Sequence, residues 1–347
     1  MSLKNLPEAT EVLQWRVRMR YLSLLQCPHC QGRLEKGEAG ISCLGCSQIF
    51  PVADGIPQLY WPEDSQGNGT PVTSRVREFY ETNPFPNYDD FDDLASLVDK
   101  ARQGIFARLL DEQIPFKTRV LDCGCGTGQL ANFLGIAQRS VFGTDMCLNS
   151  LKLAEGFRKT HELDLVHFLQ MNIFRPVFRP AIFDVVVCNG VLHHTADPEK
   201  GLAVLTTLLK PGGYLVVGLY HRFGRIWTDL RRVAFRVLGE GAAWLDPRIR
   251  QVGLTRDRRK AWFADQYQNP HESKHTVGEV LPWLDRHGLS FVKSLPKTRL
   301  NAKFEKDERL FEPEPPGNSI ERAIVEAGQL FGQAAENGFF VVIARKQ

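Results

Sequence analysis

No apolar run in this 347-residue chain reaches the roughly 20 residues needed to cross a bilayer. The first residues, M-S-L-K-N-L-P-E-A-T-E, include acids and lack the apolar stretch of a secretory signal. Both absences lead us to expect the reducing cytoplasm. Charge of one sign is also scarce. Lys and Arg number 43 against 40 Asp and Glu, a formal +3, too little on its own to mark a nucleic-acid binder. What remains is an ordinary globular composition, 43% hydrophobic, with length for one large domain and a small one.

The eight cysteines fall into two groups. Cys27, Cys30, Cys43 and Cys46 form two C-x2-C knuckles twelve residues apart. In a reducing compartment this spacing suits tetrahedral Zn²⁺, and four thiolates make a closed, structural site. A redox pair is the alternative. Cys123, Cys125, Cys147 and Cys188 are scattered and read as small buried apolar residues. A ribbon this small buries little core, so metal would supply much of its folding energy.

The richest stretch is V-L-D-C-G-C-G-T-G-Q-L, Val120 to Leu130. A short apolar strand runs into Asp122, glycines follow at Gly124, Gly126 and Gly128, and a helical run begins. A strand, a glycine turn and a helix start leave backbone N–H groups free to face a ligand. The dinucleotide fingerprint is G-x-G-x-x-G. Here the third glycine comes one residue early, and an acid stands two residues before the first. This resembles the nucleotide loop of class I S-adenosylmethionine (SAM) dependent methyltransferases. A carboxylate suits a ligand that carries an amino group and a sulfonium rather than a phosphate.

From Val120 on, strands and helices alternate, which predicts an α/β fold with a parallel sheet covered on both faces. Strands are expected at 119–122, 140–143, 165–170, 183–188, 214–219, 289–295 and 339–344. The resemblance implies a seven-stranded Rossmann-like sheet with the last strand antiparallel. It also implies ligands at the carboxyl ends of the strands. Cofactor contacts are therefore expected from Asp122, Cys123, Gly124, Gly126, Thr127 and Gly128 after the first strand. Asp145 follows the second, where the family holds both ribose hydroxyls with an acid, and Met146 would pack on the adenine. Asn172 and Ile173 follow the third. Asn172 stands where the family usually has Asp, and its amide oxygen can accept the same bond. Asn189 and Gly190 follow the fourth and would border the methionine part. L-K-P-G-G-Y-L-V-V-G-L-Y, residues 209–220, matches another family landmark.

Methyl transfer is an in-line displacement in which the enzyme aligns the nucleophile and, where needed, removes its proton. His194, His193 and His221 are the candidate bases, with His194 preferred, because imidazole titrates near neutrality. An N-P-P-Y sequence after the fourth strand would point to amide or adenine-amine acceptors and is absent. The aromatic segment 79–91 supplies Tyr80, Phe85 and Tyr88 as lid or acceptor contacts, or as anchors of an N-terminal helix. Tyr220, Tyr267, His271 and His275 are further acceptor-contact candidates. His271-E-S-K-His275 fits H-E-x-x-H, but that motif needs a helix, and Pro270 with no apolar period argues against one. Thr276 and Glu279 form a capping box for a helix that follows.

The expected organisation is an N-terminal helix with a four-cysteine zinc ribbon at 1–61, a polar linker at 62–74, and a methyltransferase domain at 75–347 with insertions at 221–288 and 296–338. The segment 43–60 resembles the small zinc-ribbon activator subunit that partners several tRNA, rRNA and translation-factor methyltransferases, through both knuckles and the trailing F-P-V-A-D-G-I-P. Residues 221–260 contain eleven Lys and Arg against four Asp and Glu. They also carry an apolar stripe at Trp227, Leu230, Val233, Ala234, Val237 and Leu238. A solvated face, an RNA partner and an anionic small molecule or lipid surface all fit that composition. The expected function is N- or O-methylation of a small or medium-sized metabolite, with SAM as methyl donor and structural zinc. RNA base methylation and non-catalytic SAM binding are the alternatives. The acceptor atom and the oligomeric state are not encoded in these motifs.

Overall fold

The computed structural model describes residues 19–62, 72–85, 93–238, 245–246, 249, 256–330 and 338–347. The expected contact Tyr88, and the charged segment 1–18, lie outside the described residues.

The ribbon strands are β1 (Leu34–Lys36), β2 (Ile41–Cys43), β3 (Ile49–Phe50), β4 (Val52–Ala53) and β5 (Ile56–Pro57). The main sheet is β6 (Arg119–Cys123), β7 (Ser140–Asp145), β8 (Val166–Gln170), β9 (Phe183–Asn189), β10 (Leu209–Tyr220), β11 (Leu289–Leu295) and β12 (Phe339–Lys346). Its order is β11-β12-β10-β9-β6-β7-β8. Strands β8, β7, β6, β9 and β10 run parallel, while β12 is antiparallel to both β10 and β11. This is the seven-stranded Rossmann-like sheet expected, with the last strand antiparallel. The strand order reverses between β6 and β9, which opens a crevice at their carboxyl ends.

The strands are buried on both faces, and alternate residues feed opposite cores. Val120, Val185, Val187 and Val216 pack on one side, with helices Leu94–Gln103, Ile105–Gln113, Gln129–Ile136 and Leu148–Thr160 nearby. Leu121, Val186, Cys188 and Val217 pack on the other, towards helices Pro198–Leu208 and Val277–Arg286. Capping-box Thr276 starts the latter helix, accepting from the Glu279 N–H while the Glu279 carboxylate accepts from Thr276.

The ribbon shares the second core. Leu25, Ile41, Phe50 and Leu59 join Phe142, Phe178 and Phe183 in one apolar cluster. Gln58 bridges to Gln170, so the ribbon covers the edge strand β8, which would otherwise offer unpaired backbone. A strand is expected near Tyr21–Leu25, but residues 19–24 form a 3-10 turn closed by Leu25 N–H donating to Leu22 O at 3.0 Å. The turn aims Tyr21 at Phe142 and His167. The helix Val72–Thr82 starts inside the expected linker, while the helix expected ahead of the ribbon falls on residues outside those described. The ladder between β9 and β10 starts at Leu209, breaks over the Pro-Gly-Gly bulge and resumes at Tyr214. Part of the 296–338 insertion folds back on β11, where Lys293 pairs with Glu308 and, at 2.7 Å, with Glu314.

A candidate cofactor and acceptor cavity

One cavity of about 1260 Å³ opens at the carboxyl ends of β6, β7 and β9. Ligand pockets typically enclose roughly 300–1,000 Å³, so this one has room for two molecules side by side.

Its floor is the glycine turn. Gly124, Gly126 and Gly128 have φ of +75°, +54° and +75°. A Cβ on Gly128 would stand 2.6 Å from Ala154 Cβ and 2.7 Å from Phe168 Cζ, so both dihedral and packing require glycine there. The Gly124 and Cys125 amides donate to Thr144 O at 2.7 and 3.0 Å. The Asp145 carboxylate accepts from Gly126 N–H at 2.9 Å and Cys147 N–H at 2.8 Å. Asp145 therefore braces the turn while lining the cavity.

Asp122 is 4% exposed and also lines the cavity. Burial, then the charge of Asp145, push its pKa up to about 7, with the Ala131 amide opposing. No salt bridge reaches Asp122 among the described residues. A buried carboxylate without a cation suits a ligand that brings one.

Cys123, Met146, Asn172, Ile173, Asn189 and Gly190 line the same space. Thr127 and Gly128 do not; Thr127 is fully buried behind the wall and Gly128 starts the helix Gln129–Ile136. Both ends of the Asn172 amide are engaged: Nδ2 donates to Trp61 O and Oδ1 accepts from Phe174 N–H, each at 3.0 Å. Asn172 thus ties the ribbon to the cavity wall.

Of the three candidate bases, only His194 reaches the cavity. Its Nδ1 lies 2.7 Å from His271 O. A carbonyl only accepts, so Nδ1 carries the proton and Nε2 keeps its lone pair. Burial lowers the His194 pKa, with Asp265 and the His271 carbonyl pulling the other way, so the ring is neutral near pH 7. His193 sits behind it, 1% exposed, against Tyr220 at 3.9 Å, with neither ring nitrogen hydrogen-bonded. Burial drives its pKa well down. His221 faces away: Gly224 N–H donates to its Nδ1 at 3.2 Å, and burial takes its pKa down to about 4.

The opposite wall comes from Tyr80, Phe85 and Tyr220, together with Asp265 and Gln266 from the 221–288 insertion. Tyr80 OH donates to Asp265 Oδ1 at 2.7 Å and accepts from Asn269 Nδ2 at 2.8 Å. Gln266 Nε2 donates to Tyr220 OH at 3.0 Å and to Asp265 Oδ2 at 2.8 Å. Arg225 lies 3.9 Å over the Tyr220 ring and pairs with Glu272 at 2.7 Å, both fully or almost fully buried. Asp265 and Gln266 sit in the π-helical turn Ala264–Gln268. No sequence signal marks that turn.

The remaining acceptor candidates are elsewhere. Tyr267 donates to Asp246 at 2.6 Å inside a small ring cluster with Phe235. His271 contributes its carbonyl rather than its ring, and His275 bonds Ser273 and packs on Trp283. The H-E-x-x-H residues lie in irregular chain, with Glu272 held by Arg225 and Arg232.

The four knuckle cysteines do converge. Their sulfurs lie within 4.8 Å of one another, with Cys27–Cys46 at 3.7 Å and Cys30–Cys43 at 3.4 Å. Four sulfurs about 2.3 Å from a tetrahedral zinc stand about 3.8 Å apart. Gly45 N–H also donates to Cys43 Sγ at 3.3 Å, which favours thiolate. The set is compatible with zinc. Among the described residues no other group of three or more potential ligands converges.

Comparison with known proteins matches residues 121–217 to the methyltransferase domain. The chain is similar to an uncharacterized protein of Synechococcus sp., 30% identical over 200 residues, 51% of this chain and 48% of that protein. It is also similar to the ubiquinone biosynthesis O-methyltransferase of Pectobacterium carotovorum, 31% identical over 116 residues, 32% of this chain and 47% of the other. The chain thus spans about half the length of these relatives. Among solved structures, PKMT2 from Rickettsia typhi in complex with AdoHcy aligns with a TM-score of 0.50 at 17% identity. The alignment covers 75% of this chain and 55% of that one, a likeness of fold. No helix among the described residues is long and apolar enough to cross a membrane.

Proposed function

We propose that the protein is a SAM-dependent methyltransferase acting on an O or N atom of a small or medium-sized, largely apolar metabolite. The observation that carries this reading is His194, whose Nδ1–H is held by the His271 carbonyl on the wall of the cavity floored by the glycine turn. When bound, SAM supplies an electrophilic methyl on a sulfonium. Asp122 would meet the cationic end of such a ligand, and Asp145 would use its remaining lone pairs on hydroxyls. His194 Nε2 would take the proton from the acceptor atom as it attacks. Tyr80, Tyr220 and Gln266 would orient the acceptor, while Leu97, Phe106 and Phe304 offer it apolar surface. We read the Cys27, Cys30, Cys43 and Cys46 cluster as a structural zinc site, which metal analysis tests by seeking one zinc per chain.

Against RNA as the acceptor, the apolar side of the ribbon is buried in the sheet core. Arg225 and Arg232 are tied to Glu272. Labelled-methyl transfer into fractionated cell extract tests the reading. Label should enter small molecules, and His194→Gln should cut turnover by about 10²–10⁴-fold with SAM affinity unchanged. Label in RNA would sink the metabolite reading, and SAM binding without transfer to any fraction would leave a binding protein.

A further inference from the structure

Helix Ile226–Leu238 is turned the wrong way for a water-facing helix. Such a helix ordinarily points its apolar stripe at the core. Here Trp227, Leu230, Val233 and Val237 are 54%, 54%, 57% and 77% exposed. The inward face buries Phe235 but is otherwise polar: Thr228 is buried, Arg231 donates to Tyr267 OH at 3.2 Å, and Arg232 donates to Gln266 O at 2.7 Å. Trp227 spends its only donor internally, on Leu330 O at 2.9 Å, so what it presents outward is apolar ring.

The surroundings say what covers this face. Arg236 is exposed on the same helix. The next helix, Arg256–Phe263, exposes Arg256, Arg259 and Lys260, and its Phe263 packs 5.3 Å from Phe235. Of the eleven basic side chains in residues 221–260, Arg225, Arg231 and Arg232 bond inward and Arg222 pairs with Glu279, so among the described residues Arg236, Arg256, Arg259 and Lys260 carry the outward charge. An exposed apolar stripe of Trp, Leu and Val, with exposed cations on its own helix and on the next, is the pattern of a helix lying in the plane of a membrane interface. Two copies meeting through this face would bring like charges together. A polyphosphate such as RNA would leave the stripe in water.

We propose that helix Ile226–Leu238 docks the protein on an anionic lipid surface. The stripe enters the headgroup–acyl boundary, and the arginines and lysine meet lipid phosphates. The inference stands apart from methyl transfer, although the same insertion supplies Asp265 and Gln266 to the cavity wall.

The test is co-sedimentation of the whole protein with phosphatidylcholine vesicles and with vesicles in which phosphatidylglycerol replaces part of that lipid. Binding should occur on the anionic vesicles, weaken in high salt, and fall at least about tenfold in Leu230→Asp/Val237→Asp, since burying each such side chain is worth about that factor. Both positions are exposed, so the variant should keep its thermal unfolding midpoint. SAM affinity by calorimetry without lipid reports separately on the cavity. Three results would overturn the proposal: no sedimentation with either lipid, equal sedimentation of variant and parent, or a dimer in light scattering that the same variant dissolves.

Discussion

The floor of the cavity is made by main chain, and the facing wall is made by side chains. Around Gly124–Gly128 the turn is set by positive φ values and by amides bonding Thr144 O and the Asp145 carboxylate. Around Tyr220 and Asp265 the shape depends on a relay of polar groups. Asn269 reaches Tyr80, Tyr80 reaches Asp265, Gln266 joins Asp265 to Tyr220, and Arg225 with Glu272 backs the set. A main-chain floor accommodates a constant ligand, because its geometry follows from a few glycines. A side-chain wall can be rebuilt by substitution while the floor stays fixed, which is where acceptor choice would vary.

If that contrast holds, substitutions in the two regions should fail differently. Glu272→Ala should cost the most stability, about 3–5 kcal/mol, because Arg225 is left buried and unpaired. Denaturant unfolding reads the loss, and adding Arg225→Met should recover most of it; no recovery would mean the pair is not the backbone of the wall. Gly128→Ala should cost about 2–4 kcal/mol from the left-handed dihedral and overpacking against Ala154 and Phe168. Phe168→Leu should return only part of the packing share, since the Ala154 contact and the dihedral strain remain.

The smallest effect is a pH dependence at the floor. Asp122 titrates near pH 7 in the folded chain and near 3.8 when exposed, because burial and the Asp145 charge oppose its ionisation. Between those values the native state holds a proton that the unfolded chain has released. Its contribution to stability therefore falls as pH rises through the window. Asp122→Asn should gain stability relative to the parent over that range and hold the gain above it, while binding SAM more weakly. Thermal unfolding at several pH values, with SAM calorimetry alongside, measures both. A difference independent of pH would show that Asp122 is already ionised.

The floor was legible in the sequence for the reason it is robust. Glycines at alternate positions after a strand carry their geometry with them, and Asp122 and the alternation of strands and helices follow from local spacing, while Asp145 and the seven-stranded sheet were implied by the methyltransferase resemblance. The wall was not, because Tyr80 and Asp265 are separated by 185 residues and meet only after folding. His221 stands beside a strand end just as His194 does, yet the Gly224 amide turns it inward. Periodicity found the stripe at Trp227 and Leu230 but carries no sign saying which side faces water. That sign came from Arg231 and Arg232, which bond inward.

One consequence of the strand order concerns synthesis on the ribosome. β11 touches the rest of the sheet only through β12, and β12 is made some forty residues later. Until β12 emerges, both β10 and β11 expose open backbone edges, and translation adds only about 5–20 residues per second. For that interval the nascent chain holds two unsatisfied edges that can pair with a neighbouring copy. A strand that completes the sheet from between two earlier ones thus sets a seconds-long period in which crowding on the same message favours aggregation.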